Sequence, residues 1–334
     1  MQAIVQDRYG STDILELREI DKPTVKDDEV LVRVHAASVH PDVWHAMRGM
    51  PYVVRIMGSG LFKPTNPVPG TDMAGQVESV GNNVERFQPG DEVFGETVTR
   101  NQWHNGGAFA EYVSVPEGAL ALKPANLTFV QAAAVPTSAL IALDNLRDRI
   151  QPGQKVLING AGGGLGTFAV QLAKSYGADV TGVDRAAKLD MVRSIGADGV
   201  IDYAQEDFTQ SGERYDLILD IPGNHSLSDS RRALTSEGTY VLIGHDRFGA
   251  AGGRLLGSGI PRFLKLLMSS PFVSQDLGVR MPTGTKDHLL VLKELLEAGK
   301  VTPVIDRTYL LSEVPEAIRY LEAGNAQGKI VITV

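Results

Sequence analysis

The sequence predicts an α/β chain in two parts, a small and mostly β region followed by a doubly wound parallel sheet. Three observations carry this. Residues 1–125 fall into short apolar or alternating runs punctuated by Gly and Pro. From Asn126 onward, strand-like runs alternate with helical stretches. A glycine cluster, Gly160 to Gly166, then joins an apolar run directly to a helical pattern. With 334 residues the chain is long enough for two domains with well-buried cores.

Taken in order, Val30–Val34 and Gly75–Val80 read as strands, and Pro89-Gly90-Asp91 is a turn leading into another at Glu92-Val93. Short strands at this rhythm suggest a barrel-like domain. In the second part Lys155–Ile158 is a strand that ends in the glycine cluster, and Thr167–Lys174 continues as a helix. Asp179–Val183, Val200–Asp202, Asp216–Asp220 and Tyr240–Ile243 read as further strands, with a helix through Ala186–Ile195. Helical crossovers between such strands imply a parallel sheet. The segment 246–284 is rich in Gly, Ser and Pro and has no clear period, the signature of a loop able to cover a site. Asp287–Ala298 and Leu311–Ala323 read as amphipathic helices, and Lys329–Val334 as a terminal strand.

Composition narrows the function. Lys and Arg number 32 against 40 Asp and Glu, a net charge of −8 that argues against nucleic acid and anionic membranes as partners. No apolar stretch approaches transmembrane length, and Met1–Gln6 opens on a strand pattern rather than a signal peptide. There is no cysteine, which excludes disulfides, thiolate catalysis and Cys-ligated zinc. A cytoplasmic chain is expected.

The glycine cluster carries the chemistry. Glycines at 160, 163 and 166 let a backbone approach a pyrophosphate, and the following helix offers unpaired N–H groups and a positive dipole end. The spacing is G-x-x-G-x-x-G, because Leu165 stands where the G-x-G-x-x-G fingerprint places Gly. The longer string resembles the signature of the zinc-independent quinone oxidoreductases, the zeta-crystallin branch of the medium-chain dehydrogenase/reductase superfamily, near its reticulon-interacting-protein-like members. Gly153, Gln154, Leu157, Ala161, Gly162, Gly163, Gly164, Gly166, Gln171 and Lys174 carry it. Met1–Leu17, the Pro89-Gly90-Asp91 turn and Gly328–Val331 extend it over the whole chain. The resemblance implies a GroES-like β-barrel domain, 1–125 plus 265–334, and a Rossmann dinucleotide-binding domain, 126–264. It also implies a cofactor in the cleft between domains and a homodimer paired through a Rossmann edge strand near Tyr240–Ile243.

The residues assigned to the cofactor are Thr137, Gly160, Gly162, Gly163, Gly164, Leu165, Gly166, Asp184, Arg185, Lys188, Tyr203, Ile243 and Lys329. Asp184, at the end of the second strand, suits the ribose 2′-hydroxyl of NADH. Arg185, Lys188 and Tyr203 suit the 2′-phosphate of NADPH. The resemblance tips the choice to NADPH, with NADH the alternative.

No zinc is expected. His40 stands where zinc-dependent members of the superfamily place their first ligand, but Gly70-Thr71-Asp72 stands at the second, and Thr is a poor zinc ligand. Hydride transfer then needs hydrogen-bond donors for the developing oxyanion. His40 beside Asp42 is one candidate proton donor and Tyr52 another; for His40 the alternative is a residue that braces its loop. Relatives usually carry Asn at position 40 and Asp at 43, where this chain has His40 and Val43. The stretch Tyr52–Pro67 either walls an apolar pocket or makes a surface excursion. The implied function is zinc-independent, NAD(P)H-dependent reduction of a quinone or an α,β-unsaturated carbonyl. A zinc-free alcohol dehydrogenase is the alternative among enzymes, and a non-catalytic nucleotide-binding interaction protein the alternative outside them.

Overall fold

A computed structural model describes residues 1–98, 104–244, 259–270, 273–278 and 286–334. The chain divides into two units. One comprises Met1–Leu140, Gly284–Gly299 and Pro303–Val334, the other Ile141–Thr283 and Lys300–Thr302.

The first unit is built around one long strand. β1 (Gln2–Val5) and β2 (Glu16–Glu19) form a separate hairpin-like pair. β3 (Glu29–Val39) is nearly all buried, because partners flank it on both edges. It pairs antiparallel with β4 (Asp72–Val80), with β6 (Tyr112–Pro116) and with the C-terminal β14 (Lys329–Thr333). The sheet continues outward through β5 (Glu92–Glu96) and β7 (Leu120–Leu122) on one side and β13 (Ile305–Leu310) on the other. Helix α1 (Pro41–Arg48) leaves β3 at once: His40 is its N-cap, Pro41 pre-sets the first turn, and Gly49 closes it in the left-handed region.

Register fixes what lies side by side. Val331 pairs with Ser38, Ser38 with Asp72, and Asp72 with Glu96. One row thus crosses β14, β3, β4 and β5 at the end of the sheet where His40 begins α1. Two further helices in chain order are α2 (Phe129–Ala133), opened by a Thr128/Gln131 capping box, and α3 (Pro136–Leu146).

The second unit is a five-stranded parallel sheet in the order β10 (Gly199–Asp202), β9 (Asp179–Asp184), β8 (Lys155–Asn159), β11 (Tyr215–Asp220), β12 (Leu234–Leu242). This 3-2-1-4-5 order is the doubly wound arrangement, with its switch point between β8 and β11. Helix α4 (Gly164–Ser175) follows β8, and α5 (Ala186–Ser194) follows β9. β12 begins well before the expected Tyr240, because an irregularity opposite Tyr215–Leu217 absorbs the polar Thr235–Gly238.

Two readings of the sequence are corrected. The segment 246–284 includes a helix, Gly259–Ser269, whose Leu266 packs with Leu277 into the core around Phe208, Ile218 and Tyr240. Ile260, Phe263, Leu264 and Leu267 already stand at helical spacing there, a signal the Gly- and Ser-rich surroundings hid from the reading. The loop read at 246–258 lies outside the described residues. The domain division also moves. Residues 126–140 belong with the barrel strands and 265–278 with the parallel sheet, each following the core it packs into. At the outer edge of β12, Tyr240 N–H donates to Asp276 O, so a segment of the same chain covers part of that edge.

Gly166 shows how tightly α4 approaches the turn before it: a Cβ there would stand 2.1 Å from the Gly160 carbonyl oxygen. Gly166→Ala forces backbone apart and should cost about 1–3 kcal/mol, read as a lower denaturant midpoint at unchanged slope.

Candidate active site

In the second unit the glycines divide their tasks. Gly160 turns the chain at φ +88°, which L side chains rarely adopt. Gly162 admits α5, since a Cβ there would meet the Lys188 side chain at 2.8 Å and Asp184 Oδ2 at 3.0 Å. Gly166 admits α4 itself. Gly163 differs. It is the N-cap of α4, with ordinary extended backbone, and a Cβ on it would meet only Gly160 O, at 3.5 Å. The space beside Gly163 is open, and the first-turn amides of Gly164, Leu165 and Gly166 have no acceptor within their own helix. A pyrophosphate fits this cradle in charge and in hydrogen-bonding type.

Beside the cradle, Asp184 ends β9. Its Oδ2 accepts from Gly162 N–H at 2.8 Å and its Oδ1 from Arg185 N–H at 2.9 Å, with Lys188 Nζ 3.9 Å away. Asp184 therefore braces the turn with both oxygens. Asp202 pairs with Asp184, which brings the exposed Tyr203 to the same C-terminal edge as Arg185 and Lys188. Ile243 lies just past β12, its N–H donating to Asp220 O. Asp220 itself, fully buried at the end of β11, accepts from Asn159, Gly223 N–H and the Tyr240 hydroxyl. Sequence reasoning gave Asp220 no role.

The first unit holds a buried polar cluster on its cross-strand row. Asp72, with no exposed surface, accepts from Ser38 Oγ at 2.9 Å, Thr137 Oγ1 at 2.5 Å and Thr137 N–H at 3.2 Å. Lys329 Nζ stands 3.5 Å from Asp72 Oδ2 and donates to Ser138 Oγ at 3.1 Å. Thr137 Oγ1 is also 2.8 Å from Glu96 Oε1. His40 Nε2 is 2.7 Å from Thr71 Oγ1 and 3.9 Å from Asp72 Oδ1, while its Nδ1 lies 3.4 Å from Asp42 Oδ2. Burial, with the Asp72 charge adding to it, pushes the Glu96 carboxyl up to about 7. Burial pulls the Lys329 ammonium below the ordinary lysine range, and neighbouring Asp72 opposes that pull.

His40 and Asp42 are thus brought together as expected, and Asp72, Thr71 and Glu96 join them. Thr71 and Asp72 were visible only as a lost metal motif, and Glu96 carried no signal, since its place depends on strand register. Thr137 and Lys329, assigned from sequence to the cofactor, both close on Asp72. Tyr52 is not among the cluster's hydrogen-bond partners: its ring packs on Arg55, whose guanidinium lies 4.5 Å from the ring centre. Leu61 and Phe62, on the 52–67 stretch, are exposed. Trp44 donates to Glu322, and His35 stacks on Phe129.

A nucleotide cradle at the C-terminal edge of a doubly wound sheet, together with a barrel-type unit carrying a buried acid–histidine cluster, defines a nucleotide-dependent dehydrogenase or reductase. Comparison with known proteins makes the class specific. The alcohol dehydrogenase GroES-like domain family matches residues 26–125, and the zinc-binding dehydrogenase family matches 195–332. The mitochondrial NAD(P)H oxidoreductase RTN4IP1 of Mus musculus is 36% identical over 100% of this chain and 89% of its own length. The chloroplastic NADPH-dependent alkenal/one oxidoreductase of Arabidopsis thaliana is 33% identical over 99% of this chain and 79% of its own. The quinone oxidoreductase of Coxiella burnetii superposes with a TM-score of 0.83 at 27% identity, covering 100% of this chain and 99% of that one. The chain belongs to the medium-chain dehydrogenase/reductase family, in its quinone oxidoreductase-like branch.

The zinc in one family's name does not suit these residues. Among the described residues no three His, Cys, Asp or Glu side chains are grouped to hold a metal ion. His40 Nε2 is held by a threonine hydroxyl, and Asp72 is surrounded by donors and an ammonium that compete with any cation. Among the described residues, too, no helix is long and apolar enough to cross a membrane.

Gly163→Val tests the cradle. The substitution needs no backbone adjustment at its Cβ but fills the phosphate space. Dinucleotide affinity should fall at least tenfold in calorimetry, with the unfolding midpoint nearly unchanged. Wild-type affinity in the folded variant would refute the assignment.

Proposed function

We propose that the chain is a zinc-independent NAD(P)H-dependent reductase acting on quinones or α,β-unsaturated carbonyl compounds. The observation that carries it is the open space at Gly163 beneath a helix N-terminus, in a chain whose usual metal position is taken by a His40–Thr71 hydrogen bond. The relatives' names, an NAD(P)H oxidoreductase and an NADPH-dependent alkenal/one oxidoreductase, support it.

The glycine turn and the α4 amides would hold the pyrophosphate, and Arg185, Lys188 and Tyr203 the adenosine-ribose end. NADPH is the favoured form, because Arg185, Lys188 and Tyr203 gather at this edge and suit a 2′-phosphate. The bound nicotinamide supplies the hydride. The protein's part is to stabilise the oxygen on which charge builds and to deliver one proton to the reduced acceptor. His40 is the residue assigned to that delivery, with Asp42 orienting its Nδ1 side. Tyr52 is left with a packing role.

We also infer a homodimer across the edge of the parallel sheet, on the general liability of open edges and the family resemblance. A cytoplasmic location rests on the lack of cysteine alone; the relatives are named as mitochondrial and chloroplastic.

Nicotinamide absorbance followed with a panel of quinones, enones, aldehydes and alcohols tests the reading. Chelator-treated protein should oxidise NADPH faster than NADH in the presence of a quinone or enone. Activity confined to simple alcohols or aldehydes would favour the alcohol dehydrogenase reading, and none at all, with cofactor bound, the non-catalytic one.

His40→Ala should lower kcat by about 10²–10⁴-fold and leave NADPH affinity unchanged. Wild-type turnover from pH 5 to 9 would make His40 structural.

A further inference from the structure

We propose that Glu96 is a buried proton store for the reduction, and that Thr137 and Asp72 relay its proton to His40. The proposal rests on the reductase reading and adds to it a source for the proton.

The geometry forces a proton count. Thr137 Oγ1 lies within hydrogen-bond distance of both Asp72 Oδ1, at 2.5 Å, and Glu96 Oε1, at 2.8 Å. A hydroxyl has one proton to donate, and an ionised carboxylate only accepts. Two carboxylates would leave one of these contacts as oxygen lone pairs facing each other in a dry interior. One acid must therefore be protonated and donate to Thr137.

Asp72 has every reason to keep its charge. It accepts from Ser38 and from the Thr137 N–H, lies at the N-terminal turn of α3, and faces the Lys329 ammonium at 3.5 Å. Glu96 has the opposite setting: it is buried, the Asp72 charge repels a second one, and its pKa is pushed up to about 7. The charged or titratable groups facing Glu96 are Asp72 on β4, His40 and Asp42 at the β3–α1 junction, and Lys329 on β14. The proton belongs to Glu96.

The transfer then balances. His40 breaks an N–H bond to protonate the oxygen of the hydride-reduced acceptor. The Glu96 O–H proton passes to Thr137 Oγ1 as the Thr137 proton passes to Asp72 Oδ1. Asp72 hands it to His40 Nε2 across the present 3.9 Å, a gap that a modest ring movement brings to about 2.8 Å. The Glu96 carboxylate regains a proton from water, so each turnover consumes one solvent proton and one hydride. Thr137 and Asp72 act as positioning and relay residues and need not touch the substrate.

Glu96→Gln tests this, because its amide still donates to Thr137 but carries no transferable proton. Three measurements on the full chain are made. In infrared titration, wild type should show a protonated-carboxyl band that fades as pH rises through about 7, absent in Glu96→Gln. In thermal unfolding, the raised folded pKa means a stabilising contribution fully present below the ordinary Glu value of 4.5 and lost as pH rises through about 7; Glu96→Gln should lack that loss. In turnover, wild-type kcat should fall as pH rises through the same range, whereas Glu96→Gln should be flat and about 10²-fold slower at pH 6 with KM for NADPH unchanged. Thr137→Val should keep the carboxyl band and lose turnover. Glu96→Gln matching wild-type kcat at every pH, or no titrating band in wild type, overturns the proposal. Wild type that reduces no quinone or enone while the band is present overturns the reductase reading instead, and the store's role with it.

Discussion

Asp72 is the contact on which the first unit turns. A buried carboxylate costs several kcal/mol to desolvate unless donors and an opposite charge surround it. Here those partners come from four places in the sequence: Ser38 on β3, Thr137 on α3, Lys329 on β14 and, through Thr137, Glu96 on β5. Each is far from Asp72 in sequence; register brings Ser38 and Glu96 to it, while α3 and β14 bring Thr137 and Lys329. The same row explains why the chain's last strand returns to β3. Lys329 leads β14, and Ile330 pairs with Val39, so the ammonium arrives where the carboxylate lies. Removing either partner leaves an uncompensated charge, which is worse than never having built the pair.

The glycine turn shows an equivalent economy in the second unit. Of glycines 160, 162, 163 and 166, Gly163 has the fewest close neighbours; Gly162 and Gly166 serve close approach, and Gly160 the turn. Asp184, a residue type that selects NADH when its carboxylate is free, bonds to Gly162 N–H and Arg185 N–H. Asp184 thereby also braces the turn, so residue type at the strand end is an incomplete guide to its role.

The two clusters agree with the proposal of a reductase that works without a metal. In zinc-dependent relatives a cation supplies the charge that polarises the acceptor. Here a threonine hydroxyl is bonded to the His40 imidazole, with two acids and an ammonium behind it. Such an arrangement favours moving protons over binding cations. Asp72 is engaged by donors, and Glu96 is driven toward its protonated form by the neighbouring charge and by burial.

Much of this protein was legible in its sequence, wherever the signal is local. The glycine spacing marked the turn and the helix start. Apolar runs and glycines marked the parallel strands to within a residue or two, except for β12. The absence of cysteine excluded thiolate ligands, and Thr71 made a zinc site unexpected. Those features depend on residues a few positions apart, so a linear reading captures them. Tertiary structure alone decided the rest. Glu96 acquires its raised pKa first from burial and then from Asp72, which β4–β5 register sets beside it. Thr137 and Lys329, expected at the cofactor, also lie beside Asp72, because α3 and β14 deliver them there. The helix Gly259–Ser269 has a helical spacing of apolar residues in the sequence that the reading passed over, and its Leu266 joins the core of the second unit. Sequence determines which groups are present and which turns they can make; only the fold decides which of them must share a proton.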